Sequence, residues 1–370
     1  MAIADQVTGD SGKAGVEARV AQMVPEERHG RGGIDVTARP KVSVAMTTYN
    51  GERFIEEQLA SLAQQSRLPD ELVVSDDGSQ DGTLERVRAF AAQAPFPVRI
   101  LCGSRSRGVL DNFDRVIASC QGDIVFPCDQ DDVWLPQKLA EMTEALARHP
   151  SAGMVISNSE LVDEHLCPTG RNLYTRRLRG TEHLYARGRE AVRLVLASGL
   201  VFGHTMAFRS LPLLMRPAAL VTTQSAYDVI RVLLAASFFD LVVIPHALTR
   251  YRRHESQVTP AQDVSPGPVE RIRQLVAGYQ WQAATNARFA GNLLQISAEL
   301  ETLGAEEDVI RFLQGKIRMA TVQEALPPSR LRRVLPVASN LMSGRYHLYA
   351  NGISTALRHL LMVVPRSSAQ

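Results

Sequence analysis

Asp123-Ile124-Val125-Phe126-Pro127 is an apolar run that ends at once in Cys128-Asp129-Gln130-Asp131-Asp132, and Trp134-Leu135-Pro136 then opens a helical pattern. A short apolar run followed by a polar turn and a helix start is the signature of a strand feeding a helix. The same unit recurs on both sides. Strands are expected at Val42 to Thr47, Leu72 to Ser75, Val98 to Leu101 and Met154 to Ile156, with helices at Glu52 to Gln65, Leu84 to Ala92, Leu110 to Ser119 and Trp134 to Ala147. Strand and helix alternating across short polar joints predict an α/β fold, a Rossmann-like and mostly parallel sheet flanked by helices. Phe54, Ile55, Leu59 and Leu62 share a face of the first helix, and His149-Pro150 stops the one that begins at Trp134.

Residues 159 to 185 are polar and Arg-rich and read as a connection over a site. Arg189 to Ala197 and Ala226 to Ala236 read as helices, Thr205 to Phe208 and Leu241 to Ile244 as extended. Three regions are expected: a flexible leader over 1–39, an α/β domain over 40–260, and a helical, basic, amphipathic region over 261–370. The chain has 370 residues, 45% of them hydrophobic and 22% charged, with a net charge of +2, so nothing global points to nucleic acid. Cys102, Cys120, Cys128 and Cys167 form no CxxC pair, which argues against a disulfide scaffold or a structural zinc and for a reducing cytoplasm. No secretory signal and no run long enough to span a bilayer is seen, so any membrane association is expected to be peripheral.

In an open parallel sheet ligands bind beyond the carboxyl ends of the strands. Asp129, Asp131 and Asp132 fall at such an end, and Asp76-Asp77-Gly78-Ser79 follows Leu72-Val73-Val74-Ser75 at another. Carboxylates gathered there repel one another unless a cation screens them, and hard oxygen ligands favour Mg²⁺ or Mn²⁺. A metal diphosphate site follows from this; the alternative is an acidic turn that caps the next helix. Thr47-Thr48-Tyr49-Asn50 ends the first strand with hydroxyls and a ring able to hold a base, or simply forms a turn and helix cap. No GxGxxG follows that strand, so hydride transfer is disfavoured.

Val42 to Asn50, Ser75-Asp76-Asp77-Gly78-Ser79-Gln80-Asp81-Gly82-Thr83 and Asp129-Gln130-Asp131-Asp132-Val133-Trp134 together resemble the inverting glycosyltransferases of family 2, which have the GT-A fold. The resemblance covers roughly residues 40 to 255, with the flavour of bacterial rhamnosyltransferases of O-antigen and other surface polysaccharide. It implies that Thr47, Tyr49 and Asp77 hold the pyrimidine and ribose, and that Asp129 and Asp131 form the Asp-x-Asp pair. Asp131 is then the direct metal ligand, with Asp129 near the ribose or reaching the metal through water. The cofactor implied is Mn²⁺ or Mg²⁺, which neutralises the leaving diphosphate.

Inversion needs a base on the far face of the sugar, and Asp228 in Ser225-Ala226-Tyr227-Asp228-Val229-Ile230 is the candidate. Tyr227 stands where the family shows His, and Val229-Ile230 replace its aromatics. A carboxylate favoured by the start of its own helix is the plainer reading of Asp228. His204 in Gly203-His204-Thr205 is expected beside the substrate or as an interior histidine. In Tyr251-Arg252-Arg253-His254 the resemblance gives His254 to the metal or diphosphate and Arg252 or Arg253 to the phosphates, against a solvated basic turn. Arg107, in the loop before Asp111, is a further candidate for the nucleotide.

From Ser329 to Gln370 there are six arginines and no acidic residue, interleaved with leucines. Such a tail either lies on an anionic inner-membrane surface or packs as an ordinary helical subdomain. The function expected is metal-dependent transfer of a sugar, rhamnose from dTDP-rhamnose being favoured, from a nucleoside diphosphate sugar to a glycan or lipid-linked oligosaccharide. A non-catalytic nucleotide-sugar binder and a sugar nucleotidyltransferase are the rivals, although no Gly-rich phosphate loop follows the first strand.

Overall fold

The computed structural model describes residues 39–102, 108–174, 182–198, 201–218, 227–255, 257, 282–327, 329–350 and 352–361. Ten strands form one sheet: β1 (Val42–Thr48), β2 (Glu71–Asp76), β3 (Val98–Cys102), β4 (Ile124–Cys128), β5 (Val133–Trp134), β6 (Ala152–Val162), β7 (Pro168–Asn172), β8 (His183–Tyr185), β9 (Met206–Arg209) and β10 (Asp240–Arg252). Their order is β3-β2-β1-β4-β9-β6-β10-β5, with β7 beside β6 and β8 beside β10. The run β3-β2-β1-β4 is parallel, as is β6 with β10, while β9 is antiparallel to both β4 and β6. This is the mostly parallel α/β sheet that the strand–helix alternation implies.

The helices are α1 (Ile55–Ala63), α2 (Thr83–Ala91), α3 (Val109–Ala118), α4 (Lys138–Arg148), α5 (Arg189–Ser198), α6 (Tyr227–Phe238), α7 (Gln282–Thr302), α8 (Glu307–Glu324), α9 (Arg330–Met342), α10 (Arg345–Tyr349) and α11 (Ile353–Leu361). Strand residues alternate between two cores. Val44, Met46 and Val74 pack with Ile55, Leu59 and Leu62 of α1 and Leu139, Met142 and Leu146 of α4. Ala45, Val73 and Val125 face Phe113, Val116 and Ile117 of α3, together with α5, α6, and Leu293, Leu300 and Leu313 of α7 and α8. Each fully buried Val, Leu, Ile or Phe contributes roughly 1.5–3 kcal/mol relative to exposure, which is what locks the pleat and hence which residues reach the sheet edge. A third, smaller core of Met319, Leu326, Val337, Tyr346 and Ala356 joins the end of α8 to α9, α10 and α11.

Three local readings of the sequence change. The helix expected from Trp134 begins only at Lys138, because Val133 and Trp134 pair antiparallel with Arg250 and Thr249 of β10. Trp134 N–H donates to Ser61 Oγ of α1 (3.1 Å), and Leu135 N–H to the carbonyl of Leu248 in β10 (3.0 Å), so these N–H groups are held by neighbouring elements rather than by a helix. Residues 159–185, expected as a connection, carry the end of β6 and both β7 and β8. The strand expected over 241–244 extends to Arg252, which brings the basic segment onto the acidic edge.

Candidate active site

The β1–β4 register pairs Met46 with Cys128, and the β1–β2 register pairs Thr48 with Asp76. The three motifs therefore leave the sheet side by side at one edge. Asp76 serves the turn itself: its oxygens accept from Thr48 Oγ1 (2.8 Å), Ser79 Oγ (2.6 Å) and the N–H groups of Gly78 (3.0 Å) and Ser79 (2.9 Å). The next carboxylate, Asp77, turns toward α3 and accepts from Gly108 N–H (3.0 Å). Gly78 has φ +88°, a conformation that a side chain would strain.

Gln130 joins the first and third motifs. Its Oε1 accepts from Tyr49 N–H and its Nε2 donates to Tyr49 C=O, both at 2.9 Å, so one side-chain amide holds both backbone groups of one residue as a neighbouring strand would. Gly51 lies beneath it, and a Cβ there would displace the Gln130 amide from this position. The clamp fixes the backbone and leaves the Tyr49 ring 53% exposed at the rim, with Thr47 half-buried beside it.

Below the rim lies a charged interior. Asp132 is completely buried; Oδ1 accepts from Arg252 N–H (3.1 Å), and Oδ2 has no hydrogen-bond partner among the described residues. Burial first, then the charges of Asp131 and Asp129, push its pKa well above the usual carboxylate range. Asp129 is pushed up to about 8 by burial and by Asp131 and Asp228, against the opposing pull of Lys138. Lys138 is itself fully buried, donating to the carbonyl of His204 (2.5 Å) and to Thr249 Oγ1 (2.6 Å), with its ammonium 4.2 Å from the Trp134 ring centroid. Burial lowers its pKa to about 7.

His204 sits in a single 3₁₀ turn, Gly203–Thr205, stacked on Tyr251 at 4.6 Å between ring centroids. Its Nε2 meets Ser159 Oγ at 3.0 Å, and its Nδ1 lies 3.8 Å from Asp129 Oδ2 and 3.7 Å from Asp132 Oδ2. Burial, with Lys138 adding to it, depresses the imidazole pKa well below its ordinary value, so the ring is neutral and these contacts are not salt bridges. In the tautomer with Nε2–H donating to Ser159, the Nδ1 lone pair faces the two carboxylates. Ligand atoms of Asp129, Asp132 and His204 lie within 4.8 Å of one another. Two carboxylates, a neutral imidazole and an orphaned buried oxygen fit a divalent cation.

Asp131 points the other way, to His254 Nε2 at 2.9 Å. Arg252 anchors the Asp131 backbone: its Nε–H donates to the Asp131 carbonyl (2.8 Å), a terminal N–H donates to the Glu164 carbonyl (2.6 Å), and another pairs with Glu57, the guanidinium carbon lying 4.5 Å from the Phe54 centroid. Its guanidinium is thus engaged with protein groups, and Arg253, half-buried, follows it at the same edge.

Asp228, at the first turn of α6, accepts from its neighbour Val229 N–H (2.8 Å) and from Gly203 N–H (3.2 Å), which ties it to the turn carrying His204. Burial raises its pKa to about 6. Tyr227 stacks on Phe113 at 3.7 Å and sends its hydroxyl over Gly203, where a Cβ would overlap it.

Asp129, Asp131, His204, Asp228, Arg252, Arg253 and His254 therefore gather around one edge with Thr47, Tyr49 and Asp77, while Arg107 lies outside the described residues. Sequence reasoning missed Lys138, Gln130 and a use for Asp132. Nothing in the sequence marks Lys138 as buried, because a lysine at a helix start is ordinarily solvated. The tetrapeptide at 129–132 does contain the other two, and strand-end position was the usable signal.

A mixed, mostly parallel α/β sheet with converging carboxylates at the carboxyl edge of its parallel strands has the layout of the GT-A fold. Residues 43–195 match the family model described as Glycosyl transferase family 2. The dTDP-rhamnosyl transferase RfbG of Shigella flexneri is 35% identical over 105 residues, 27% of this chain and 36% of that protein. The UDP-Glc:alpha-D-GlcNAc-diphosphoundecaprenol beta-1,3-glucosyltransferase WfgD of Escherichia coli is 25% identical over 132 residues, 34% of this chain and 51% of that protein. The chain spans about a third to a half of the length of such curated relatives. The crystal structure of S. aureus TarS 1-349 in complex with UDP superposes with TM-score 0.53 at 18% identity, covering 84% of this chain and 89% of that one, a likeness of fold.

Proposed function

We propose that the protein is a metal-dependent inverting glycosyltransferase that moves a sugar from a nucleoside diphosphate sugar to a hydroxyl of a bacterial glycan or lipid-linked oligosaccharide in the cytoplasm. The observation that carries the reading is the meeting of Asp129, Asp131 and Asp132 with His204, His254 and Asp228 at the carboxyl edge of β4. The likeness of residues 43–195 to family 2 supports it. Thr47, Tyr49 and Asp77 are assigned to the base and ribose. Asp129, Asp132 and His204 are the nearest set for a divalent cation, with Asp131 and His254 adjoining, and the cation would neutralise the departing diphosphate.

The chain's own chemistry is acid–base. Asp228, ionised, takes the proton of the acceptor hydroxyl as that oxygen bonds to the anomeric carbon and the bond from carbon to the diphosphate oxygen breaks on the opposite face. One displacement inverts the configuration and gives the glycoside, the nucleoside diphosphate and a proton held on Asp228. Gly203 N–H donates to the carboxylate and so ties it to the His204 turn. Rhamnose from dTDP-rhamnose is the favoured donor, supported by the partial likeness to RfbG. A panel of nucleotide sugars tested with Mn²⁺ for thermal stabilisation should show at least one that raises the melting temperature of the wild type and not of Asp131→Ala. A panel that stabilises neither protein would overturn the proposal.

A further inference from the structure

Among the described residues, eight of the twelve large apolar side chains that remain exposed lie in the last three helices, between residues 331 and 361. Their spacing is regular. In α9, Leu331 (85% exposed), Leu335 (81%) and Met342 (83%) follow one helical face at i, i+4 and i+11, and in α11 Ile353, Leu357 and Leu361 repeat at i, i+4 and i+8. The opposite faces are used: Val337 and Ala356 are buried around Tyr346. These helices thus have one face in the third core and a second, equally apolar, in water. Monomeric proteins rarely leave so concentrated an apolar surface uncovered without a partner for it.

Charge identifies the partner. Residues 329–370 contain six arginines and neither Asp nor Glu. Arg330, Arg332 and Arg345 are exposed, whereas Arg333 is spent inside, donating to the carbonyls of Pro327 and His359. A surface that is apolar and basic with no carboxylate does not complement a second copy of itself, because the arginines would meet. It does complement a bilayer whose interface offers acyl chains to the leucines and phosphates to the guanidiniums. No described helix is long and apolar enough to cross a membrane, so the contact is one of lying on the surface.

We infer that α9 and α11 dock the protein onto an anionic lipid surface through the stripes Leu331–Leu335–Met342 and Ile353–Leu357–Leu361, the first accompanied by the exposed Arg330 and Arg332. The docked helices adjoin α8, which shares the core beneath the sheet, so the acidic edge is carried on the same body that meets the lipid.

Flotation of the full chain with vesicles of phosphatidylcholine, with and without phosphatidylglycerol, tests this. Binding is expected only to the anionic vesicles, weakening with salt, and falling by about tenfold or more in each of two double variants, Leu331→Asp/Leu335→Asp and Arg330→Glu/Arg332→Glu. Melting temperatures should be unchanged, since all four side chains are exposed. The inference is overturned if the wild type fails to float with anionic vesicles, if it floats equally with neutral ones, or if both variants float as well as the wild type. It is also overturned if light scattering finds a wild-type dimer that the leucine variant dissociates. Flotation reads no sugar transfer, so a failure there leaves the reading of the acidic site intact.

Discussion

Asp228→Asn removes a charge and little else. The amide keeps an oxygen to accept from Val229 N–H and gives up the weaker 3.2 Å contact from Gly203, so the His204 turn is expected to hold. A positioned general base contributes about 10²–10⁴-fold, and the variant should lose turnover in that range while binding donor as before. The wild type should also show the base in its pH profile. Burial raises the folded pKa of Asp228 from 3.8 to about 6, so the proton-accepting form is present above that value and lost as pH falls through it. The ionised fraction rises from roughly a tenth at pH 5 to roughly nine-tenths at pH 7, so kcat/KM should climb close to tenfold between them and then level. The assay is initial-rate release of nucleoside diphosphate at saturating metal, from pH 5 to 8. An Asn variant with wild-type turnover, or one that keeps the same acid limb, would refute the assignment.

Gly203→Ala should place a methyl group into the Tyr227 hydroxyl and destabilise the fold by about 1–3 kcal/mol; adding Tyr227→Phe should recover part of that loss in urea melts, and no recovery would mean that the clash is not the cause. Lys138→Met should cost about 1–3 kcal/mol, because it leaves the buried His204 carbonyl and Thr249 Oγ1 without their donor; an unchanged urea midpoint would contradict that role.

The sheet was legible because its strands carry apolar runs that are closed by polar turns at regular intervals. Val42–Thr48, Glu71–Asp76 and Ile124–Cys128 each bury nearly every residue, and such strands announce themselves by composition. The beginning of α4 was not legible. Val133-Trp134 continues the helical pattern of Leu135, Leu139 and Met142, and only pairing with Thr249 and Arg250, more than a hundred residues on, makes it a strand. The site divides in the same way. Strand-end position brings the carboxylates of 77 and 129–132 to one edge, and that follows from topology alone. Which of them points inward does not: Asp131 meets His254, while Asp132 is buried with Oδ1 held by the Arg252 N–H at the end of β10. The burial of Lys138 and the bidentate hold of Gln130 on Tyr49 are likewise consequences of packing between distant segments.

Crystals soaked with Mn²⁺ and a nucleoside diphosphate, with diffraction collected at the manganese edge, give the most direct view of the proposed chemistry. One anomalous peak is expected at the carboxyl end of β4, within ligand distance of at least two of Asp129, Asp131, Asp132, His204 and His254, with the diphosphate against it and the base beside Tyr49. A nucleotide bound elsewhere, or bound at that edge equally well with the metal chelated, would contradict it.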